Sequence, residues 1–268
     1  MEANPSLESY VISPYDKQTI DFSNAKAVVE LNRALLKVHY ALKKWTLPEG
    51  FLCPPVPSRV DYIHHLHDLL GEPSNDDKIK ILDIGTGASC IYPLLGNAIF
   101  GWQFVGSEIN QTALNSAKKN VSDNGLKDVI SLRLQTDVSA ILDGVILPED
   151  RFDAAMCNPP FFKNEEEAVA ASGQKYDGLK LAKKGEDRNF GGHAHELWYS
   201  GGEKAFLHNY LYQSSHFGKQ VAWFTSLVSK KENVASLKQS HQKLKGKQFE
   251  VVPMSIGHKK MRIVAWNF

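Results

Sequence analysis

The stretch that most constrains this chain is Asp153-Ala154-Ala155-Met156-Cys157-Asn158-Pro159-Pro160-Phe161-Phe162. After one acid its first half is apolar, as suits a strand buried in a parallel sheet. Its second half cannot continue a hydrogen-bonded ladder. Pro159 and Pro160 have no N–H and hold φ at roughly −65°, and Pro159 keeps Asn158 extended. The strand therefore stops with an amide and an aromatic ring fixed at its carboxyl end. In open α/β sheets ligands bind at that edge. The Asn158 oxygen and the Pro159 carbonyl can both accept hydrogen bonds from an NH₂ group. Phe161 offers a face to a flat ring. Together they suit a planar base bearing an amine, although four residues alone fit a proline-rich turn without chemistry equally well.

The flanking pattern supplies the rest of a sheet. Residues 78–84 read as a first strand, followed by Gly85-Thr86-Gly87-Ala88-Ser89-Cys90 opening a helix. Glycines in that context let the backbone turn tightly and approach a ligand. A second strand, 104–106, ends in Ser107-Glu108, 23 positions after Gly85. An acid there is placed to accept both hydroxyls of a ribose. Residues 112–124 form an amphipathic helix, and 129–134 a third strand leading into Gln135-Thr136-Asp137. The Asn158 strand is the fourth and 219–228 the fifth. Helices are expected over 203–217 and 232–244, and 249–254 with 262–266 read as a closing antiparallel pair joined by the basic tip 257–260. Ahead of the sheet, residues 1–22 are polar and irregular. A helix capped by Ser23 or Asn24 runs toward Pro48 and Gly50, a rigid connector spans 51–57, and Arg59 precedes a helix over 60–70.

Charge is unevenly spread. The net formal charge is only +1, but residues 51–150 carry 7 Lys or Arg against 13 acids, and residues 218–268 carry 10 against 2. A basic end on an acidic core can seat phosphates; a solvated lysine-rich helix face is the blander reading. The three cysteines, Cys53, Cys90 and Cys157, form no CxxC pair and no disulfide framework. His64, His65 and His67 place at most two rings on one helix face without Cys or carboxylate partners, so no metal is expected. With no apolar run of membrane-spanning length and no signal peptide, the chain reads as cytosolic. Residues 163–202, with 7 acids, 6 basic residues and many glycines, read as a long insertion that covers the substrate.

Asn-Pro-Pro-Phe resembles the [Asn/Asp/Ser]-Pro-Pro-[Tyr/Phe] motif of amino-methyltransferases that use S-adenosylmethionine. The layout of strands resembles the α/β, Rossmann-like class I methyltransferase fold. That implies a mostly parallel seven-stranded sheet with helices on both faces, spanning 73–268, behind an N-terminal helical extension over 1–72. A dinucleotide dehydrogenase would more typically show Gly-x-Gly-x-x-Gly, and here Cys90 stands at the last position. The residues 32–36, 50–55, 82–94, 157–161, 189–192, 196–198 and 223–229 are similar to the RlmF family, bacterial methyltransferases of the exocyclic amine of one adenosine in 23S large-subunit ribosomal RNA.

The resemblance implies cofactor contacts at Arg59, Asp83, Gly85, Gly87, Ser89, Glu108, Asp137, Ser139 and Asn158. Arg59 would meet the methionine carboxylate, and Asp137 or Ser139 the cofactor adenine. It implies in-line methyl transfer with Asn158, Pro159 and Phe161 holding the substrate base, and no metal. Lys259, Lys260 and Arg262 are the RNA-binding candidates. The family usually begins with a basic N-terminal stretch that helps hold RNA. Residues 1–22 contain only Lys17, so either that stretch lies outside this chain or RNA is held mostly by the C-terminal basic face. A monomer is expected. The Asn-Pro-Pro core alone also fits DNA adenine or a protein glutamine as acceptor, and the basic C-terminal region favours nucleic acid. A non-catalytic RNA-binding protein on this scaffold is disfavoured by the intact Gly85, Gly87, Glu108 and Asn158.

Overall fold

The structure is a computed structural model that describes residues 4–14, 17–72, 78–168, 197–256 and 259–268. Most of the expected insertion, including the 189–192 motif, lies outside the described residues, as do residues 257 and 258 of the basic tip.

The N-terminal segment is more ordered than its polarity suggested. A 3-10 helix, Pro5–Tyr10, leads into a short antiparallel pair, β1 (Val11–Ile12) and β2 (Thr19–Ile20). Only Leu7 and Ile20 are buried in these elements, too few to leave a periodic signal. Helix α1 (Ala25–Tyr40) is capped by Asn24, whose side chain accepts from the Lys26 and Ala27 amides. It ends well before Pro48, at a left-handed Ala41. Leu42 keeps the helical spacing but is buried from the loop beyond. Helix α2 (Val56–Leu70) begins four residues earlier than expected. Pro57 sits in its first turn, where a missing N–H breaks no intrahelical bond. Arg59 is therefore a helical residue.

The sheet elements fall within about two residues of expectation up to the Asn158 turn: β3 (Lys80–Ile84), α3 (Ile91–Phe100), β4 (Gln103–Glu108), α4 (Gln111–Asp123), β5 (Ile130–Leu134) and β6 (Phe152–Cys157). Then come α5 (Gly202–Ser214), β7 (Val221–Val228), α6 (Lys231–Lys243), β8 (Phe249–Ile256) and β9 (Lys259–Trp266). The closing hairpin is longer than expected, because Lys259 and Lys260 belong to β9 rather than to its tip. The seven strands lie in the order β5-β4-β3-β6-β7-β9-β8, parallel except that β9 runs antiparallel to both neighbours. From β3 the chain builds outward to β5, then returns to the other side of β3 with β6. The carboxyl ends of β3 and β6 thus flank a topological switch point, where open α/β sheets bind ligands.

Alternate strand residues feed two core layers. Ile81, Phe104, Ala154 and Met156 pack with side chains of α2, α3 and α4. Leu82, Val105, Ala155 and Phe224 pack on the other face with α5 and α6. Each fully buried large side chain contributes about 1.5–3 kcal/mol. Leu36, Trp45, Tyr62 and Leu66 belong to the first layer, so the N-terminal extension and the sheet share a core.

Candidate active site

After β3 the chain turns through Gly85 and Gly87, both left-handed, with φ of 70° and 65°. A Cβ at Gly85 would meet nothing within 4 Å, so its demand is conformational and the space beside it is open. Cys90, where a third glycine would stand, also takes a left-handed φ of 51° and caps α3. Burial raises its thiol above the ordinary range, which leaves it inert. The loop is braced from behind. Trp45 Nε1 donates to the Ser89 carbonyl at 2.9 Å and Ser116 Oγ to the Ala88 carbonyl at 3.0 Å.

Glu108, at the end of β4, clamps the front of the same loop. One carboxylate oxygen accepts from the Gly87 amide at 2.9 Å. The other accepts from the Ile109 and Asn110 amides at 2.8 and 2.9 Å. Burial raises its pKa, and these three amides oppose the rise. A carboxylate has about four acceptor sites, so the oriented group keeps capacity for a further donor.

Between the loop and the Asn158 turn lies a cavity of about 510 Å³, within the usual range for a small-ligand site. Seven expected site residues line it: Arg59, Gly85, Gly87, Ser89, Glu108, Ser139 and Asn158. Arg59 is nearly buried, its guanidinium 5.4 Å from the Tyr92 ring centroid, and it has no ion pair among the described residues. The Asn158 Oδ1 atom is buried without a hydrogen-bond partner among the described residues.

Asp83, Asp137, Pro159 and Phe161 are not on the cavity wall. Asp83 is fully buried behind the glycine loop, and among the described residues neither of its carboxylate oxygens has a hydrogen bond within normal geometry. Burial pushes its pKa up to about 7. The Thr86 hydroxyl and Arg59 favour the charged form, whereas Glu108 disfavours it. Asp137 is exposed and accepts from the Ser139 amide and hydroxyl, at 2.8 and 2.6 Å, which lowers its pKa and fixes the Ser139 turn. Pro159 is buried and Pro160 lines the cavity in its place. Phe161 is half-buried, and its amide donates to the Leu197 carbonyl. Lys259, Lys260 and Arg262 open β9. Because Arg262 pairs with Val228 at the end of β7, they lie at or beyond the same carboxyl edge. Arg262 Nη1 donates to the Ser229 carbonyl at 3.2 Å.

Gln213 carries no local cue in the chain. Its Oε1 accepts from the Ile141 and Leu142 amides at 2.9 and 2.8 Å, across some seventy residues of chain. Neighbouring Asn209 donates to the Ser139 carbonyl and the Tyr199 hydroxyl. Helix α5 thereby holds the 139–141 wall of the cavity. His64 and His67 pack on the Phe100 ring, the latter stacked at 4.1 Å. Among the described residues no group of three His, Cys, Asp or Glu is placed to hold a metal, and no helix is long and apolar enough to cross a membrane.

Strand order, glycine loop and cavity together define a Rossmann-like class I methyltransferase. The RNA methyltransferase family model matches residues 1–268, and the chain belongs to that family. The "Ribosomal RNA large subunit methyltransferase F" of Desulfotalea psychrophila is 46% identical over 273 residues, covering 98% of this chain and 88% of the relative. The crystal structure of the human METTL16 catalytic domain in complex with MAT2A 3′UTR hairpin 1 superposes with a TM-score of 0.83 at 31% identity, covering 98% of this chain and 88% of that one. The N-terminal domain of human METTL16 in complex with SAH gives 0.80 at 28% identity, covering 100% and 92%.

Proposed function

We propose that this protein methylates the N6 amine of one adenosine in 23S ribosomal RNA, with S-adenosylmethionine as donor. The observation that carries the reading is Asn158 Oδ1, a buried acceptor on the cavity wall at the switch point, without a partner among the described residues. Such an atom is costly unless a ligand supplies the donor. S-adenosylmethionine, when bound, supplies a methyl group on a positively charged sulfur. The lining fits it: an open glycine turn, the pre-oriented carboxylate of Glu108 for ribose hydroxyls, and Arg59, which has no ion pair among the described residues, for a carboxylate. Ser89 and Ser139 complete the wall, with Asp137 holding the Ser139 turn and Asp83 buried behind the loop.

Adenine's amine is a poor nucleophile because its lone pair is delocalised into the ring. Asn158 Oδ1 and the Pro159 carbonyl accept its two hydrogens, which raises electron density on nitrogen and aims the lone pair. The base must leave its stack, and Phe161 offsets that cost by stacking on it. Lys259, Lys260 and Arg262, on the same sheet edge, hold RNA phosphates. Arg59, Glu108 and Asn158 come from one chain, so a monomer suffices. The reading places the enzyme in the cytoplasm with its substrate. The names of the bacterial relatives support ribosomal RNA as that substrate.

The test is incubation with labelled S-adenosylmethionine and, separately, naked ribosomal RNA, assembled large subunits, DNA and protein extract, followed by nucleoside chromatography. Label in N6-methyladenosine from ribosomal RNA is expected. Label confined to DNA or protein would overturn the assignment.

A further inference from the structure

The ladder between β6 and β7 stops short of the catalytic turn. β6 stays in register with β3 through Ile84↔Cys157, but its register with β7 ends at Ala155↔Phe224. Both strands run on, β6 to Cys157 and β7 to Val228. The pair Ala155↔Phe224 is the last of that ladder, and its next rung would join the Cys157 amide to the Thr225 carbonyl. Hydroxyls stand at that rung instead. Thr225 Oγ1 donates to the Ala155 carbonyl at 3.0 Å. The Tyr62 hydroxyl lies 2.8 Å from Thr225 Oγ1 and accepts from the Cys157 amide at 3.5 Å. Thr225 has one hydroxyl proton, committed to Ala155, so Tyr62 is the donor between the two hydroxyls. The order is fixed: Cys157 N–H to Tyr62, Tyr62 to Thr225, Thr225 to the Ala155 carbonyl.

Both side chains are completely buried, and Cys157 immediately precedes Asn158. The Tyr62 ring meets Tyr92 edge-on at 5.6 Å, and the Arg59 guanidinium lies 5.4 Å from the Tyr92 ring centroid. Arg59 and Tyr62 are three residues apart on α2, hence neighbours on one helix face. One helix thus fixes both the cation of the cavity and the last rung before the turn.

We propose that Tyr62 and Thr225 are positioning residues whose hydroxyls replace a main-chain rung and set where the Asn158 amide stands relative to the cavity. The inference rests on the reading of Asn158 given above. Without the hydroxyls, the two strands either close further or part, and in both cases the end of β6 moves. A displacement of about 1 Å at a reacting group costs on the order of 100-fold in rate.

The test is steady-state methylation of transcribed 23S ribosomal RNA by the full chain. Tyr62→Phe and Thr225→Val should each lower kcat roughly 10- to 100-fold, with the RNA KM and the cofactor Kd little changed. Thr225→Ser, which keeps the hydroxyl, should retain most of the wild-type kcat. Tyr62→Phe should cost nothing further in an Asn158→Ala background, because it acts through Asn158. Full-speed Tyr62→Phe and Thr225→Val beside a slow Asn158→Ala would overturn the rung alone. So would a Thr225→Ser as slow as Thr225→Val, or additive losses in the double variant. Wild-type kcat in Asn158→Ala would instead overturn the functional reading, and the rung with it. If Tyr62→Phe does not fold, the Thr225→Ser and Thr225→Val pair decides by the same criterion.

Discussion

Asn158 ends a strand packed into the sheet, and the two prolines after it leave its side-chain oxygen as a fixed acceptor on the cavity wall. Asn158→Ala should leave cofactor and RNA binding intact and lower kcat by a factor equivalent to roughly 2.7–4 kcal/mol, the scale of one preorganised contact to a transition state. Asn158→Asp still accepts hydrogen bonds and should retain more activity than Asn158→Ala. Equal loss in two folded, cofactor-binding variants would remove hydrogen-bond acceptance from the role of Asn158. Asp83 has a different signature. Its folded pKa of about 7 lies above its unfolded value, because burial disfavours the charge. Its favourable contribution is therefore fully present below about pH 4 and is lost as pH rises through 7. In the absence of cofactor, wild type should lose roughly 2–3 kcal/mol relative to Asp83→Asn between pH 5 and pH 8, at 1.36 kcal/mol per pKa unit. Urea unfolding of both proteins at the two pH values measures it, and parallel pH profiles would show that Asp83 does not carry that shift.

At the scale of elements, α5 matters for what it holds. Gln213→Ala leaves the Ile141 and Leu142 amides without their acceptor, at about 1–3 kcal/mol for each buried donor. A lower urea midpoint and several-fold weaker cofactor binding are expected, because the loosened segment walls the cavity. An unchanged midpoint would show that the segment is held elsewhere. Such a contact leaves no trace in the chain's local pattern, whereas strand ends do. The glycine turn, Glu108 and Asn158 were legible because each pairs a strand with a residue type that stops or turns it. Proline and glycine misled where their cues belonged to a loop or a first turn. Pro48 and Gly50 lie beyond the real end of α1 at Ala41, and Pro57 is inside α2 rather than before it. Nothing in the local sequence singles out Tyr62 on its helix, and only the third dimension brings its hydroxyl to Thr225.

Across the whole molecule, the proposal that RNA is held by the C-terminal basic stretch can be tested at the carboxyl edge of the sheet, where β9 begins. The start of α6 would be a ready anion site, but Glu203 already fills it, accepting from the Ser229 and Lys230 amides and from Asn233 Nδ2. The proposed phosphate contacts at this edge therefore rest on basic side chains, with Lys259, Lys260 and Arg262 on the strand that leads away from the edge. Replacing all three by Ala should weaken RNA binding and make the plot of log affinity against log salt shallower by about 2, at roughly 0.7 per phosphate contact on single-stranded RNA. Cofactor affinity should stay the same if these residues act on phosphate alone. Arg262 has a second partner, the Ser229 carbonyl, so Lys259→Ala/Lys260→Ala must be compared with Arg262→Ala. If the lysines act on phosphate, their double variant alone takes most of the change in slope. If affinity falls in Arg262→Ala while the slope holds, Arg262 serves the turn between β7 and α6 and not the RNA. An unaltered slope in the triple variant would move the phosphate contacts off this edge altogether.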